Sequence, residues 1–278
     1  MKKYTYPTVL TIAGSDSGGG AGIQADIKTF SALGCYGMSV ITALTAQNTL
    51  GVTGIHSVPP DFVTAQLNAV LQDIRPLAIK IGMVHSAELV AVIANVLQQY
   101  PDIPVILDPV MVATSGDRLI AEETVQHLVT QLFPLSTLIT PNLDEAALLA
   151  NMQIATVQDM QTAGKIIMQQ GCNALLLKGG HLQQDRLTSL LFTIDGNVQS
   201  FTSDKIETNN MHGSGCTLSS AIAAYMARGE NLAKAIASAH EYVHNAILHG
   251  KDVSTGKGHG PLNHFFNPQK MIINALIV

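Results

Sequence analysis

The chain has 278 residues, 47% of them hydrophobic and 13% charged, which supplies a buried core and excludes a disordered chain. Fifteen Lys and Arg against 20 Asp and Glu leave a net charge of −5, so the broad positive field of a nucleic-acid binder is absent and any anion must be held locally. Three cysteines, Cys35, Cys172 and Cys216, form no CxxC pair, which argues against a disulfide framework or a cysteine-rich zinc site and fits a reducing cytoplasm.

Lys2 and Lys3 precede an apolar stretch that Pro7 and the arrival of Gly14, Ser15 and Asp16 cut too short for a signal-peptide core, so the start reads as mature protein. No apolar run nears the roughly 20 residues that cross a bilayer, so a soluble protein with no membrane partner is expected. Residues 9–13 read as a strand that ends in the loop Gly14-Ser15-Asp16-Ser17-Gly18-Gly19-Gly20-Ala21-Gly22; Ile23, Ile27 and Phe30 then share a helical face up to Gly34. The alternation recurs. Residues 78–81 predict a strand, and Leu89, Val90, Val92, Ile93, Val96 and Leu97 form the stripe of a helix. A strand at 105–107 sits between Pro104 and Asp108-Pro109 and precedes a helical stretch from 121 to about 132. Residues 137–140 predict a strand closed by Pro141, with helices near 142–150 and 157–170 and a buried strand at 174–178. Between Ser189 and Ser203 two strand-like pieces flank the hairpin turn Asp195-Gly196-Asn197, and the last helices are expected at 215–228 and 231–249.

Short apolar runs separated by helices of this length predict an α/β fold, a mostly parallel sheet covered by helices on both faces. Without a linker, repeat or low-complexity tract, residues 1–278 are expected to form a single domain. Ligands of such sheets collect at the carboxyl ends of the strands, and loops with chemical character sit there: Gln47-Asn48, Gly82-Met83, Asp108-Pro109, Pro141-Asn142 and Lys178-Gly179-Gly180.

The most informative stretch is Asn209-Asn210-Met211-His212-Gly213-Ser214-Gly215-Cys216-Thr217, a glycine-containing turn running into an apolar helix. Unpaired amides at a helix start, with the helix dipole behind them, favour an anion, and glycines let a phosphate approach the backbone. The same turn would also serve an ordinary helix start. Cys216 in that first turn has its thiolate favoured by the same amides and could take a proton from a substrate hydroxyl, or it is an inert small core residue. Lys178, after a Leu-rich strand, could reach a phosphate or simply snorkel to solvent. Asp108, Asn142 and Glu145 carry oxygens at neighbouring strand ends and suit Mg²⁺ directly or through water, although each alone also serves as turn former or helix cap.

Three tempting motifs fail. His240-Glu241-Tyr242-Val243-His244 matches H-E-x-x-H, yet no glutamate follows it, and Ile247 stands where the extended form needs glycine. Gly256-Lys257-Gly258 resembles the tail of a P-loop, but Gly250 is one residue too distant and no Ser or Thr follows the lysine. Gly18 to Gly22 lacks the spacing of a dinucleotide fingerprint and fits a turn where a small ligand meets backbone.

Taken in order, the stretches at 11–26 and 41–49, Lys80-Ile81-Gly82-Met83, Asp108-Pro109-Val110-Met111, 138–145, Lys178-Gly179-Gly180-His181 and His212-Gly213-Ser214-Gly215-Cys216-Thr217 closely resemble the hydroxymethylpyrimidine/phosphomethylpyrimidine kinases of thiamine biosynthesis, within the ribokinase-like superfamily. The resemblance spans nearly the whole chain and implies a three-layer α/β/α ribokinase-like sandwich. It implies ATP-dependent phosphorylation of 4-amino-5-hydroxymethyl-2-methylpyrimidine and then of its monophosphate, with Mg²⁺, in a cytoplasmic homodimer. By that resemblance Asp26, Gln47, Met83 and Val110, with the backbone near Gly14, line the pyrimidine pocket. Gly213, Ser214, Gly215 and Cys216 form the anion hole, with Cys216 as base. Lys178, Asn142, His212 and Lys257 serve ATP and phosphate, and Asp108 and Glu145 the metal. One departure is Met211, where relatives usually carry threonine. Two other readings stay open: a pyridoxal or pyridoxine kinase, alone or as a second activity, and a non-catalytic pyrimidine-binding homologue. The small polar stretches Thr114-Ser115-Gly116 and Ser254-Thr255-Gly256-Lys257-Gly258 are candidates for loops that close over the site.

Overall fold

The computed structural model describes residues 3–111, 120–180 and 186–275. A short strand β1 (Tyr4–Thr5) pairs with β11 (Asn274–Ala275) as a separate ribbon. Between them follow β2 (Thr8–Asp16), α1 (Gly22–Ala32), β3 (Tyr36–Asn48), β4 (Gly51–Ser57), α2 (Pro60–Asp73), β5 (Ala78–Ile81), α3 (Ala87–Leu97), β6 (Val105–Leu107) and α4 (Glu122–His127). A π-helical turn (Leu128–Leu132) extends α4, and β7 (Leu138–Ile139), α5 (Leu143–Ala150), α6 (Val157–Met168), β8 (Ala174–Leu177), β9 (Arg186–Thr193), β10 (Val198–Asp204), α7 (Ser214–Ala227) and α8 (Leu232–Gly250) complete the chain.

The main sheet has the order β10-β9-β8-β7-β6-β5-β2-β3-β4. Its six middle strands, β8 through β3, run parallel, and only β9, β10 and β4 pair antiparallel. Successive side chains of a strand face opposite ways, and here the two faces feed two cores. Leu10, Ile12, Ile79, Ile81, Leu175 and Leu177 meet Leu67, Ile93, Ala146 and Ile167 from α2, α3, α5 and α6. Val9, Ala78, Ile106 and Leu176 meet Phe30, Ala221, Ala224 and Ile236 from α1, α7 and α8. The result is the three-layer α/β/α sandwich with a mostly parallel sheet that the sequence led us to expect. Among the described residues no helix is long and apolar enough to cross a membrane.

Because the middle strands are parallel, their carboxyl ends lie together, and Asp16, Gly82, Asp108, Pro141 and Lys178 all follow or close one of them. Helix α7 begins at the same end. Its small buried residues Ser219, Ser220, Ala223 and Ala224 let it lie close over the sheet. The antiparallel hairpin of β3 and β4, together with α2, fills a stretch in which the sequence reading placed no element. Residues 51–57 are mostly exposed, and residues 44–48 at the end of β3 are exposed or half-buried, so neither piece carries the inward-facing alternation that reveals a strand packed on a core.

Candidate active site

Asp16 closes β2 and organises the glycine loop after it. Its carboxylate accepts the backbone N–H groups of Gly18 at 2.8 Å, Gly20 at 3.1 Å and Ala21 at 2.9 Å. His212 Nε2 lies 2.9 Å from Asp16 Oδ2. Burial opposes the charge on Asp16, but His212 and the loop amides outweigh it and hold the carboxyl below its ordinary value. An ionised carboxylate only accepts, so the Nε2 atom of His212 carries the proton and donates. Gln47 Nε2 stands 3.4 Å from that same nitrogen. Gln47 Oε1 accepts from Thr45, so the atom facing His212 is a second donor, and the Gln47 amide N–H groups are left to meet a ligand.

The glycine loop packs against the turn before α7. Gly213 has φ +85°, a left-handed conformation, and a Cβ there would lie 2.8 Å from the Gly20 carbonyl carbon and 3.2 Å from Ala21 Cα, so both conformation and space require glycine. No side chain caps α7. The Ser214 amide turns back to Met211 O and that of Thr217 bonds Gly213 O. The amides of Gly215 and Cys216 have no acceptor among the described residues. The expected four-residue cradle is thus narrowed, with Ser214 bonded within its own turn. Met211 contributes its carbonyl to that turn, which any residue would supply.

Thr217 lies 3.0 Å from His264 Nε2. Burial pushes His264 down to about 4, so it is neutral, and its Nε2 faces the Thr217 hydroxyl, which donates to the Gly213 carbonyl at 2.8 Å. A residue near the end of the described chain therefore steadies the first turn of α7.

Cys216 is partly exposed, unlike the buried Cys35 and Cys172. Burial of its sulfur raises its pKa, opposed by Lys80 and by a hydrogen bond from the Gly22 backbone. The sequence reading had the helix amides favouring a thiolate; in the structure desolvation wins, and the resting group is a thiol. Around it lie the strand-end residues. Lys178 Nζ is 2.8 Å from Asp108 Oδ1, which also accepts from Thr140 Oγ1 at 3.1 Å. A Cβ on Gly215 would fall 3.4 Å from Lys178 Nζ and 3.7 Å from Asp108 Oδ2, so the free amides, the ammonium and the carboxylate share one place. Burial opposes the Asp108 charge, but Lys178 and Lys80 hold its carboxyl low; Lys178 itself is held high by Asp108 and Glu145 despite burial. Glu145 goes the other way: burial pushes it up to about 7. It forms a capping box with Asn142, whose side-chain oxygen accepts the Glu145 amide at 2.9 Å while Glu145 Oε2 accepts the Asn142 amide at 2.8 Å.

Asp108 and Glu145 offer hard oxygen donors beside the cradle, and among the described residues no group of three His, Cys, Asp or Glu is arranged to hold a metal. This donor set fits Mg²⁺, which keeps several waters and takes one or two carboxylates with substrate phosphates. The H-E-x-x-H segment lies away from these residues on α8, where His240 stacks on Phe201 at 5.5 Å.

Asp26 requires a correction. It was expected to line the pyrimidine pocket, but it is fully buried and both oxygens are engaged by Lys80, Thr11 and Ser220. An acceptor so occupied stands behind the site instead of facing a ligand. Gly14 is buried against Met83, whose Cε lies 2.8 Å from where a Gly14 Cβ would sit, and Val110 is partly buried just beyond Asp108. Lys257 is exposed; its backbone N–H and that of Gly258 donate to Thr49 Oγ1 at 3.2 and 3.1 Å, which moors its loop to the β3–β4 turn. The other candidate loop, Thr114-Ser115-Gly116, lies outside the described residues, as does His181. Asp16 and Lys80 are among the residues the sequence reading left without a role; both sit inside the quoted motifs, and a charged side chain in or closing an apolar strand was the available signal.

A family model described as phosphomethylpyrimidine kinase matches residues 16–263. The chain belongs to the phosphomethylpyrimidine kinase family. It is 50% identical over 257 residues to the hydroxymethylpyrimidine/phosphomethylpyrimidine kinase of Rhizobium meliloti, covering 92% of this chain and 96% of that protein. Among solved structures, phosphomethylpyrimidine kinase from Clostridium difficile is 42% identical with a TM-score of 0.77, covering 86% of this chain and 99% of the other. Pyridoxal kinase from Staphylococcus aureus, solved with AMP-PCP and pyridoxal, is 31% identical with a TM-score of 0.84, covering 98% of this chain and all of the other. Like other members of the phosphomethylpyrimidine kinase family, the chain is a phosphotransferase of thiamine biosynthesis.

Proposed function

We propose that this kinase transfers the γ-phosphoryl group of ATP to the hydroxymethyl oxygen of 4-amino-5-hydroxymethyl-2-methylpyrimidine, and then a second phosphoryl group to the monophosphate. The observation that carries this reading is the meeting of the free Gly215 and Cys216 amides with Lys178 and Asp108 beside a cysteine sulfur. Phosphoryl transfer asks mainly for alignment and charge compensation. The two amides and the Lys178 ammonium face the charge that grows on the transferring oxygens, and the loop amides oriented by Asp16 and His212 close the opposite wall. Gln47 offers its N–H groups to the polar edge of the ring, with Met83, Val110 and the backbone at Gly14 against its faces. AMP-PCP, bound to the pyridoxal kinase relative, is an ATP analogue, which supports ATP as donor. Mg²⁺, when bound, supplies further charge compensation to the phosphates, and Asp108 and Glu145 would hold it through water.

In the first step the substrate is an un-ionised alcohol. Once the Cys216 thiol has lost its own proton to solvent, the alcohol proton passes to the thiolate as the oxygen bonds to phosphorus and ADP departs. In the second step the acceptor is already an oxyanion, so no base is needed. Cys216→Ala is therefore expected to slow the first step on the order of 10²-fold or more and the second far less. Single-turnover rates with each substrate decide it; equal losses would refute the base role. Mass measurement of the products with ATP and the hydroxymethylpyrimidine tests the activity itself. The likeness to a pyridoxal-bound kinase favours pyridoxal as a second substrate, to be run beside the pyrimidine, and absence of ADP with every such heterocycle would instead favour a silent binding homologue.

A further inference from the structure

The hairpin of β3 and β4 stands off the core, yet it carries Gln47. Residues 51–57 are mostly exposed, and the ladder between the two strands slips between Ala46 and Gln47. A bulge re-aims the side chain beside it, and a segment with few buried contacts opens easily, so the aim of Gln47 depends on what holds the hairpin tip. Beyond the last rung to β2, at Thr45, two sets of hydrogen bonds do so. On one side the Ser17 hydroxyl of the glycine loop donates to the Gln47 carbonyl at 2.7 Å and accepts the Gln47 amide at 2.8 Å. On the other, Thr49 meets the loop that follows α8. Its Oγ1 accepts the Lys257 and Gly258 amides at 3.2 and 3.1 Å, which takes both lone pairs, and its carbonyl accepts the His259 amide at 3.0 Å. A Cβ on Gly256 would lie 2.8 Å from Thr49 Cγ2, and one on Gly258 2.6 Å from the Thr49 carbonyl carbon, so the two glycines make room for this residue. Among the described residues, every hydrogen bond from turn residues 49 and 50 to chain outside the hairpin goes to 257–259.

The far end of that loop is fixed at the turn before α7. The Gly260 carbonyl accepts the His212 amide at 3.1 Å, and Asn210 Nδ2 donates to the Gly250 and Val253 carbonyls, each at 2.7 Å. Pro261 sits against the glycine loop, its Cβ 3.3 Å from where a Gly20 Cβ would stand. The contacts therefore close a ring: glycine loop to Gln47, hairpin tip to residues 257–259, then Gly260 to His212 and back to Asp16. We infer that Thr49 is a positioning residue for the acceptor: it ties the hairpin tip to the turn that forms the anion hole and so holds Gln47 where its N–H groups meet the ring of the substrate. This rests on the pyrimidine-binding role proposed for Gln47. Gln47 binds that ring alike before and during transfer, whereas the Gly215 and Cys216 amides and Lys178 act on the phosphoryl group. Loss of the tie therefore weakens acceptor binding and spares the transfer step.

The test compares Thr49→Val, which keeps the shape and removes the accepting oxygen, with Thr49→Ser, which keeps that oxygen. Turnover of the hydroxymethylpyrimidine at saturating ATP gives KM and kcat, and hydrogen–deuterium exchange of the free protein, read by peptide mass, follows residues 44–57 and 254–260. Thr49→Val is expected to raise KM about fivefold, the worth of two exposed hydrogen bonds, with kcat within about twofold of the unaltered protein. Both segments should exchange faster together, with the urea midpoint retained, and Thr49→Ser should restore both readouts. Gly258→Ala acts from the other partner, driving a Cβ into the Thr49 carbonyl, and should reproduce the effect. Combined with Thr49→Val it should add little, and fully additive losses would overturn the inference. An unchanged KM in Thr49→Val overturns it, as does a fall in kcat at constant KM, which is what a smaller folded fraction gives. Faster exchange at 254–260 with residues 44–48 unaffected overturns it too. Should the unaltered protein not turn over the pyrimidine, the substrate reading fails by itself, and exchange at residues 44–48 still decides whether Thr49 holds Gln47.

Discussion

Gly213 and Gly229 share a left-handed backbone, with φ +85° and +91°, and differ in what surrounds them. Around Gly229 a Cβ would meet nothing within 4 Å, so Gly229→Ala costs only the conformational strain, about 1–2 kcal/mol. At Gly213 the same strain applies, and the Cβ enters the Gly20 carbonyl, with Ala21 Cα only 3.2 Å away. The glycine loop must retreat by roughly 1 Å, which loosens the bonds between Asp16 and His212; with about 1–3 kcal/mol for charged hydrogen bonds, the total loss reaches about 2–5 kcal/mol. A displacement of that size in a cradle for a reacting group costs roughly 10²-fold in rate. Urea unfolding and single-turnover phosphorylation of the two variants, side by side, isolate the loop contact. If Gly213→Ala matched Gly229→Ala in both stability and rate, the contact between the two loops would not be what forms the site.

Asp16→Asn retains one acceptor oxygen but loses the charge that gathers three amides and His212, and is expected to cost about 2 kcal/mol in urea unfolding and to raise KM for the pyrimidine. Glu145, pushed to about 7 in the folded protein, lies above the roughly 4.3 of an unfolded glutamate, so folding binds a proton between those values and its stabilisation is lost as pH rises through 7. Relative to the unaltered protein, Glu145→Gln should therefore gain on the order of 2 kcal/mol between pH 5 and pH 8, read from Tm at both, and a constant difference would refute the burial argument. With the Cys216 thiol held above its ordinary value, the first phosphoryl transfer should accelerate with pH through the neutral and alkaline range while the second stays flat. Rates measured for each substrate separately check this, and parallel profiles would count against the thiolate.

The sheet and its helices were legible where a strand is buried on both faces. Residues 105–107 and 174–177 are uninterrupted apolar runs between breakers, and both emerge as central parallel strands. The hairpin around Asp195-Gly196-Asn197 was legible from turn chemistry alone, with Gly196 left-handed at its tip. The cradle at 213–216 was legible because its glycines and helix start are local in sequence. What was not legible depends on distance. Asp26 carries no mark that distinguishes a carboxylate facing a ligand from one facing Lys80, since the partner is 54 residues away. The same holds for Asp16 and His212, 196 residues apart. Cys216 shows the limit of reasoning from a helix terminus: the amides favour a thiolate, but burial of the sulfur by other segments decides the resting state.

The pairings of Asp16 with His212, Gly20 with Gly213, Thr49 with Gly258 and Thr217 with His264 all join the front of the chain, or the last helix pair, to residues beyond 211. During synthesis the sheet strands emerge first, yet the reaction centre has no second half until the ribosome has released residue 264. Because α7 and α8 also cover one face of the sheet, the reaction centre and that half of the core are completed together.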